Sequence, residues 1–227
     1  MPKTPAKSKP AKRRILIVDD HPIMRQGIAQ LIEHEPDLVV CGEAEQASEA
    51  LQKAQKLMPD LMLIDITLPD KNGLELIKDI QFALPKMPVL VLSMHDESLY
   101  VERVLRAGGR GYVMKQEGGK KLMEAIRQVL NGQIFVSDKM SAKILEIFSG
   151  RRAEVSGSPV EVLSDREFEV FQLIGKGIST KEIADQLHLS AKTVEVHRIN
   201  IKQKLNVRTA PELIRYAVRW IESQSKS

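Results

Sequence analysis

The 227-residue chain is short of several things, and each shortage removes a class of protein. It has one cysteine, Cys41, so it has no internal disulfide framework, and a reducing compartment is expected. Cys41 sits in the apolar run LVVCG and reads as a small buried residue rather than a reactive thiol. No apolar stretch approaches the roughly 18 residues that cross a bilayer. The basic N-terminus is followed only by ILIV, too short for the core of a signal peptide. His21, His34, His95, His188 and His197 lack the spacing of zinc ligands. These absences point to a cytoplasmic protein without membrane contact.

What is present is ordinary in amount and uneven in arrangement. Apolar residues make up 43% and charged residues 28%, as in globular proteins, and the length allows one or two domains. Residues 1–14 hold six Lys or Arg and no acid, whereas residues 15–130 hold 13 bases and 18 acids. Near the end, Lys192, Arg198, Lys202, Lys204, Arg208, Arg215 and Arg219 face only Glu195 and Glu212 within 192–219. An acidic front and a basic patch behind it suggest two domains, the second facing a polyanion.

Residues 1–12, rich in Pro, Lys, Ala and Ser, form no core and are expected to be a disordered basic tail. Five apolar runs follow, ILIV, LVVC, LMLI, VLVL and YVM, beginning at 15, 38, 61, 89 and 112. Helical patterns lie between them, such as 22–33 (Ile23, Ile28, Leu31, Ile32) and 74–84 (Leu74, Leu76, Ile77, Ile80). Continuous apolar strands alternating with amphipathic helices predict a doubly wound α/β domain, a five-stranded parallel sheet covered on both faces, over 13–132. A linker with a short helix at 139–148 is expected over 133–161, its SGRRAEVSGSPVE segment having the composition of a hinge. From 162 to 227 the pattern is helical only. Ser164 with Glu167, Ser179 with Glu182 and Thr209 with Glu212 mark helix starts, and Ser190 starts another without the glutamate. Helix, tight turn, helix in a basic context predicts a small all-α helix-turn-helix domain.

Ligands of open parallel sheets bind beyond the carboxyl ends of the strands. The first run ends in Asp19 and Asp20, the third in Asp65, the fourth in Ser93 and the fifth in Lys115. Three carboxylates, a hydroxyl and an ammonium therefore converge on one edge. Hard oxygen ligands with room for water and phosphate suit Mg²⁺. Any one of these residues alone would be an ordinary strand-end or helix-capping group; the set of five is not.

ILIVDD, LMLIDITLPDKNG, VLSMHD and GYVMK resemble the receiver domains of two-component response regulators. The resemblance implies a flavodoxin-like strand order and a phosphoacceptor at Asp65. It also implies Mg²⁺ held by Asp20, Asp65 and the Thr67 carbonyl, with Asp19 acting through water or from the outer shell. Ser93 would bond the phosphoryl oxygens, Lys115 would pair with the acyl phosphate, and Tyr112 would be an aromatic switch turning inward. Pro69 and Gly73 stand where that family shapes the loop after the acceptor. Thr67 and His95 flank the phosphoryl site and are expected to tune its hydrolysis. The chemistry is consistent: an aspartate can attack a phosphoryl donor in line when cations offset the crowded charge.

The segment from LSDREFEVF to INIKQKLNV resembles the LuxR-type helix-turn-helix, and receiver plus this tail is the NarL/FixJ arrangement. On a helical wheel Val194, Ile201 and Leu205 form the core side of helix 191–205, with Lys192, Val196, Ile199 and Gln203 opposite and Glu195 at the margin. Thr193, His197, Asn200 and Lys204 lie on one flank and Arg198 and Lys202 on the other, placed for phosphates. Exposed Val196 and Ile199 suit thymine methyls. Glu195 either accepts from a cytosine amino group or repels wrong sites. Helix 210–222 is too apolar for a lone surface helix, and the family uses it to dimerise on DNA. The implied partners are a histidine kinase, double-stranded DNA, a second copy of the chain and RNA polymerase.

Two other readings compete. A Mg²⁺ phosphatase with an aspartyl nucleophile typically needs a second acid two residues on, where this chain has Thr67, followed by Leu68 and Pro69. A DNA-binding protein that ignores phosphate would use its receiver only to dimerise, which leaves the complete acidic set without a purpose. The expectation is a transcription factor, not an enzyme, in which the unphosphorylated receiver masks the DNA helix or the dimer surface.

Overall fold

A computed structural model describes residues 11–142 and 159–225. Residues 1–10 of the expected tail and most of the expected linker lie outside this range, although 138–142 are already helical.

Each apolar run is a strand: β1 (Arg13–Val18), β2 (Leu38–Ala44), β3 (Leu61–Ile64), β4 (Val89–Ser93) and β5 (Gly111–Met114). Between and after them come α1 (Pro22–Glu33), α2 (Ala47–Leu57), α3 (Gly73–Ala83), α4 (Glu97–Arg106) and α5 (Gly118–Leu130). All pairings are parallel, and the order is β2-β1-β3-β4-β5. Direction of winding therefore reverses between β1 and β3, which opens a crevice at their carboxyl ends.

The strands read as unbroken apolar runs because both faces are covered. Ile15, Ile17, Leu61, Leu63 and Leu90 pack with Ile28 and Ile32 of α1 and Leu122 and Ile126 of α5. Leu16, Val18, Met62, Ile64 and Val91 pack on the other side with α2, α3 and α4. Each such side chain contributes about 1.5–3 kcal/mol by leaving water. Phe135, just past α5, adds a bridge to Gly111 at the sheet edge.

One expectation is corrected in α1. The inward residues are Arg25, Ile28 and Ile32, whereas Ile23 is 87% exposed and Leu31 is exposed as well. Pro22 occupies the first turn, and the phase of the helix that follows turns an arginine inward in place of Ile23.

The second domain is helical: α6 (Asp165–Gly175), α7 (Thr180–Gln186), α8 (Ala191–Lys204) and α9 (Ala210–Ser225). The boxes at Ser164/Glu167 and Ser179/Glu182 close reciprocally, as their spacing predicts. At the third, Thr209 accepts from the Glu212 N–H, but the Glu212 carboxylate takes the N–H of Arg208 instead. Val194 and Ile201 turn into the core as expected. Gly175 lets α6 and α9 touch: a Cβ there would lie 2.7 Å from the Ala217 carbonyl oxygen.

The two domains are in contact. The apolar cluster around α4 continues into Val160, Leu163 and Phe168. A chain of rings crosses the boundary, with centroids 4.8 Å apart for His95–Tyr100, 5.5 Å for Tyr100–Phe168 and 5.5 Å for Phe168–Trp220. Among the described residues, no helix is long and apolar enough to cross a membrane.

Candidate functional site

Asp65 is the residue after β3, and its N–H bonds the Val18 carbonyl, so the sheet ladder itself fixes its position. Gly73 permits the tight loop that follows, since a Cβ there would sit 2.2 Å from the Asp65 carbonyl oxygen. Lys115 follows β5 and reaches across the edge with its ammonium 2.6 Å from Asp65 Oδ2 and 2.7 Å from Asp19 Oδ2. All three side chains are almost completely buried.

Burial pushes the Asp65 carboxyl up to about 6, with Lys115 opposing and Asp19 adding to the rise. Burial alone would lower the Lys115 ammonium; the two carboxylates outweigh it and hold it above its ordinary value. Asp19, Asp20, His21 and Asp65 each present a ligand atom within 4.8 Å of one another. Three carboxylates from two strand ends fit a hard divalent cation such as Mg²⁺. The Asp-Asp-His segment thus does more than start α1: His21 is its N-cap but makes no side-chain cap bond. Its Nδ1 instead lies 2.7 Å from Asp20 Oδ1.

Ser93 is fully buried beside the pocket, and its Oγ accepts the His95 N–H at 3.3 Å. Thr67 donates its N–H to Asp65 Oδ1 at 3.4 Å, and its hydroxyl lies 3.2 Å from His95 Nε2. Burial, then the charges of Lys176 and Lys115, push His95 down to about 4. Tyr112 is already inward: it is 1% exposed and donates to the His95 carbonyl at 2.8 Å.

The second domain closes over this edge. His188, at the turn between α7 and α8, lies 3.2 Å from Asp20 Oδ2 and has a left-handed φ of 52°. Asp165 at the start of α6 receives Lys78 at 2.7 Å and Arg103 at 3.0 Å. Arg103 also donates to the carbonyls of Leu163 and Val160. Glu169 on α6 is completely buried, paired with Arg166 at 2.8 Å; burial raises its carboxyl, and Asp65 adds to the rise. Sequence reasoning missed His21, Arg25, Arg103, Asp165 and His188 as site-forming residues. His21 alone gave a usable signal, by adjoining two acids.

One face of helix α8 is exposed. Val196 and Ile199 are each 48% exposed, and Lys192, Glu195 and Gln203 are exposed as well. Thr193, His197, Arg198, Asn200 and Lys202 are half-buried. Four members of the expected contact set have partners within the chain, Thr193 sharing a hydroxyl–hydroxyl bond with Ser190 at 2.7 Å. Lys204 pairs with Glu167 at 2.7 Å, Glu195 accepts from Thr180 at 2.9 Å, and Arg198 donates to that Thr180 hydroxyl at 3.2 Å. Masking was expected at the DNA helix or at the dimer surface; the receiver meets α6 and the turn before α8, and the outer face of α8 stays exposed.

A family model described as the response regulator receiver domain matches residues 15–127. A second, described as bacterial regulatory proteins of the luxR family, matches 161–217. The chain is 36% identical over 210 residues to the oxygen regulatory protein NreC of Staphylococcus carnosus, covering 91% of this chain and 97% of that one. NreC of Staphylococcus aureus is 35% identical with the same coverage. Among solved structures, the RcsB response regulator of Salmonella typhimurium aligns with a TM-score of 0.63 at 27% identity, over 92% of this chain and 98% of that one. RcsB of Salmonella enterica serovar Typhimurium, bound to promoter rprA in the presence of a phosphomimetic, aligns at 0.59 and 27%, over 91% and 98%.

Proposed function

The chain belongs to the response regulators that join a receiver to a LuxR-type DNA-binding domain, and on that footing we propose that Asp65 accepts a phosphoryl group from a histidine kinase. What supports this most is one arrangement: Lys115 held between Asp65 and Asp19 at the carboxyl edge of the sheet. Asp20, Asp65 and the Thr67 carbonyl would hold Mg²⁺, with Asp19 in the outer shell; once bound, the ion would offset the charge of the acids and of the transferring phosphoryl group. Asp65 supplies the attacking oxygen. Lys115, already beside that carboxylate, then pairs with the acyl phosphate, and Ser93 turns its hydroxyl from the His95 N–H to a phosphoryl oxygen. Thr67 and His95, bonded to each other beside Asp65, set how fast water removes the phosphate; unchanged phospho-Asp lifetimes in T67A and H95A would remove that role.

Drawing Ser93 inward pulls the loop that carries His95 and leads into α4. Tyr112 moves with it, because its hydroxyl bonds the His95 carbonyl. Helix α4 bears Tyr100 and Arg103, the residues that grip α6, so the closed pair of domains loosens. The ligand favours the open population in proportion to its differential contacts there. The opened cytoplasmic protein pairs through α9 as a homodimer on two-fold DNA sites. There Lys192, Thr193, Val196, His197, Ile199, Asn200 and Lys202 face DNA, with Glu195, Arg198 and Lys204 released from their internal partners, and RNA polymerase is the further partner.

The exposure of α8 favours a second reading, in which binding proceeds without phosphate. Footprinting of promoter DNA with and without a small acyl-phosphate donor and Mg²⁺, on wild type and Asp65→Ala, separates the two. Equal protection in all four arms would leave the second reading standing.

A further inference from the structure

Arg25 carries a charge that the phosphoryl chemistry described above does not use. It is 9% exposed and occupies the inward stripe of α1 with Ile28 and Ile32, a place where an apolar residue would cost less. Its guanidinium makes three bonds: Nη1 to the Asp19 carbonyl at 2.6 Å, Nε to Glu43 at 2.9 Å and Nη2 to Glu45 at 2.5 Å. Glu43 belongs to β2, and Glu45 follows that strand. One planar fork therefore ties α1, β2 and the loop between β1 and α1 together.

That loop carries the acids. The Asp19 N–H bonds the Ala44 carbonyl at 3.1 Å, and the Asp19 carbonyl accepts from Arg25, so both sides of this residue's backbone are fixed. The Asp19 carboxylate is fixed as well, by the His21 N–H and by Lys115. The Asp19 carbonyl belongs to the peptide that leads into Asp20, and Arg25 bonds it at 2.6 Å. Glu43 and Glu45 more than offset the charge of Arg25: the three groups sum to one negative charge.

We infer that Arg25 is a positioning residue of the cation site, acting through the Asp19 carbonyl to aim Asp19 and Asp20. This rests on the phosphoryl reading given above. Charge and geometry make opposite predictions. A cation close to a cation site repels the incoming ion, so removing Arg25 should tighten Mg²⁺ by electrostatics alone. Loss of positioning should instead weaken it, and removing an outer-shell partner of metal ligands costs about 10-fold in affinity or more.

The test is calorimetric titration of the full chain with Mg²⁺ alone, for wild type, R25Q and R25K. Ile32→Val serves as a control for loss of stability in the same helix. We expect weakening of about 10-fold in R25Q. R25K should also weaken, because an ammonium keeps the charge but cannot span three acceptors. The control should match wild type. Unchanged or tighter Mg²⁺ in R25Q, or wild-type affinity in R25K, overturns the inference; if R25Q does not fold, R25K decides. In parallel, uptake of phosphate from acetyl phosphate is followed at saturating Mg²⁺, where R25K should recover to within about twofold of wild type if only ion affinity is lost. Wild type that binds Mg²⁺ but never labels Asp65 would refute the phosphoryl reading and leave the role of Arg25 in the cation site intact.

Discussion

The guanidinium carbon of Arg103 lies 4.1 Å from the ring centroid of Phe168, a cation–π contact that crosses from receiver to DNA-binding domain. The same guanidinium bonds Asp165 and two carbonyls of the incoming chain, so one side chain of α4 makes three polar contacts between the domains.

Arg103→Ala should therefore separate the domains. Among the described residues Asp165, 6% exposed, keeps Lys78 as its partner, and the loss is expected to cost about 2 kcal/mol. Small-angle scattering should show a larger radius of gyration than wild type without phosphate. An unchanged radius in Arg103→Ala would assign the contact to the apolar cluster instead.

Lys115→Gln should raise the Asp65 carboxyl beyond about 6, since the burial that lifts it remains and the ammonium that opposes it is gone. Carbon-detected NMR of the side-chain carboxyl over pH measures this directly; a fall in the midpoint would contradict the charge assignment.

Acid should act on His95 and Asp65 with opposite signs. His95 is held down at about 4 against 6.5 unfolded, so between those values the unfolded chain binds a proton that the native one refuses, and stability falls with falling pH. Asp65 is held up at about 6 against 3.8, so its contribution is present at low pH and lost as pH rises through 6. In metal-free buffer, His95→Gln should lessen the drop in melting temperature from pH 7 to pH 4, and Asp65→Asn should deepen it.

On DNA, Lys192→Ala should weaken binding about equally at all sequences and reduce the salt slope by about 1. Ile199→Ala should cost about 1 kcal/mol or more at sites with a thymine methyl and little elsewhere. Competition footprinting against a uracil-substituted site separates the two effects.

Gly73→Ala should destabilise the receiver more than an ordinary glycine replacement, because its Cβ would meet backbone, at 2.2 Å, and not a movable side chain. The urea midpoint reports the loss, and a midpoint equal to that of wild type would mean the loop after Asp65 is free to shift.

The sheet was legible because a strand buried on both faces must be apolar throughout, and the acids were legible because parallel strands deliver their ends to one edge. The same rule found Asp65, Asp19 and Lys115, whose contacts lie within 2.7 Å. Arg25 escaped because periodicity counts apolar residues and turned Ile23 inward in its place. The domain contact escaped for a different reason: Arg103 and Asp165 stand 62 positions apart and follow no repeat. His188 was weighed only as a zinc ligand, a question that cannot reveal its approach to Asp20. The pairing of Lys204 with Glu167 escaped because a wheel shows a helix without its neighbours.

Trp220 is the only tryptophan in the chain, and its ring stands edge-on to Phe168 at the end of the row that starts beside Thr67. Its indole thus gives the protein a built-in optical signal. Phe168 touches both Tyr100 across the boundary and Trp220 within its own domain, so tryptophan emission reads out, without a label, the far side of the ring that domain separation would bare.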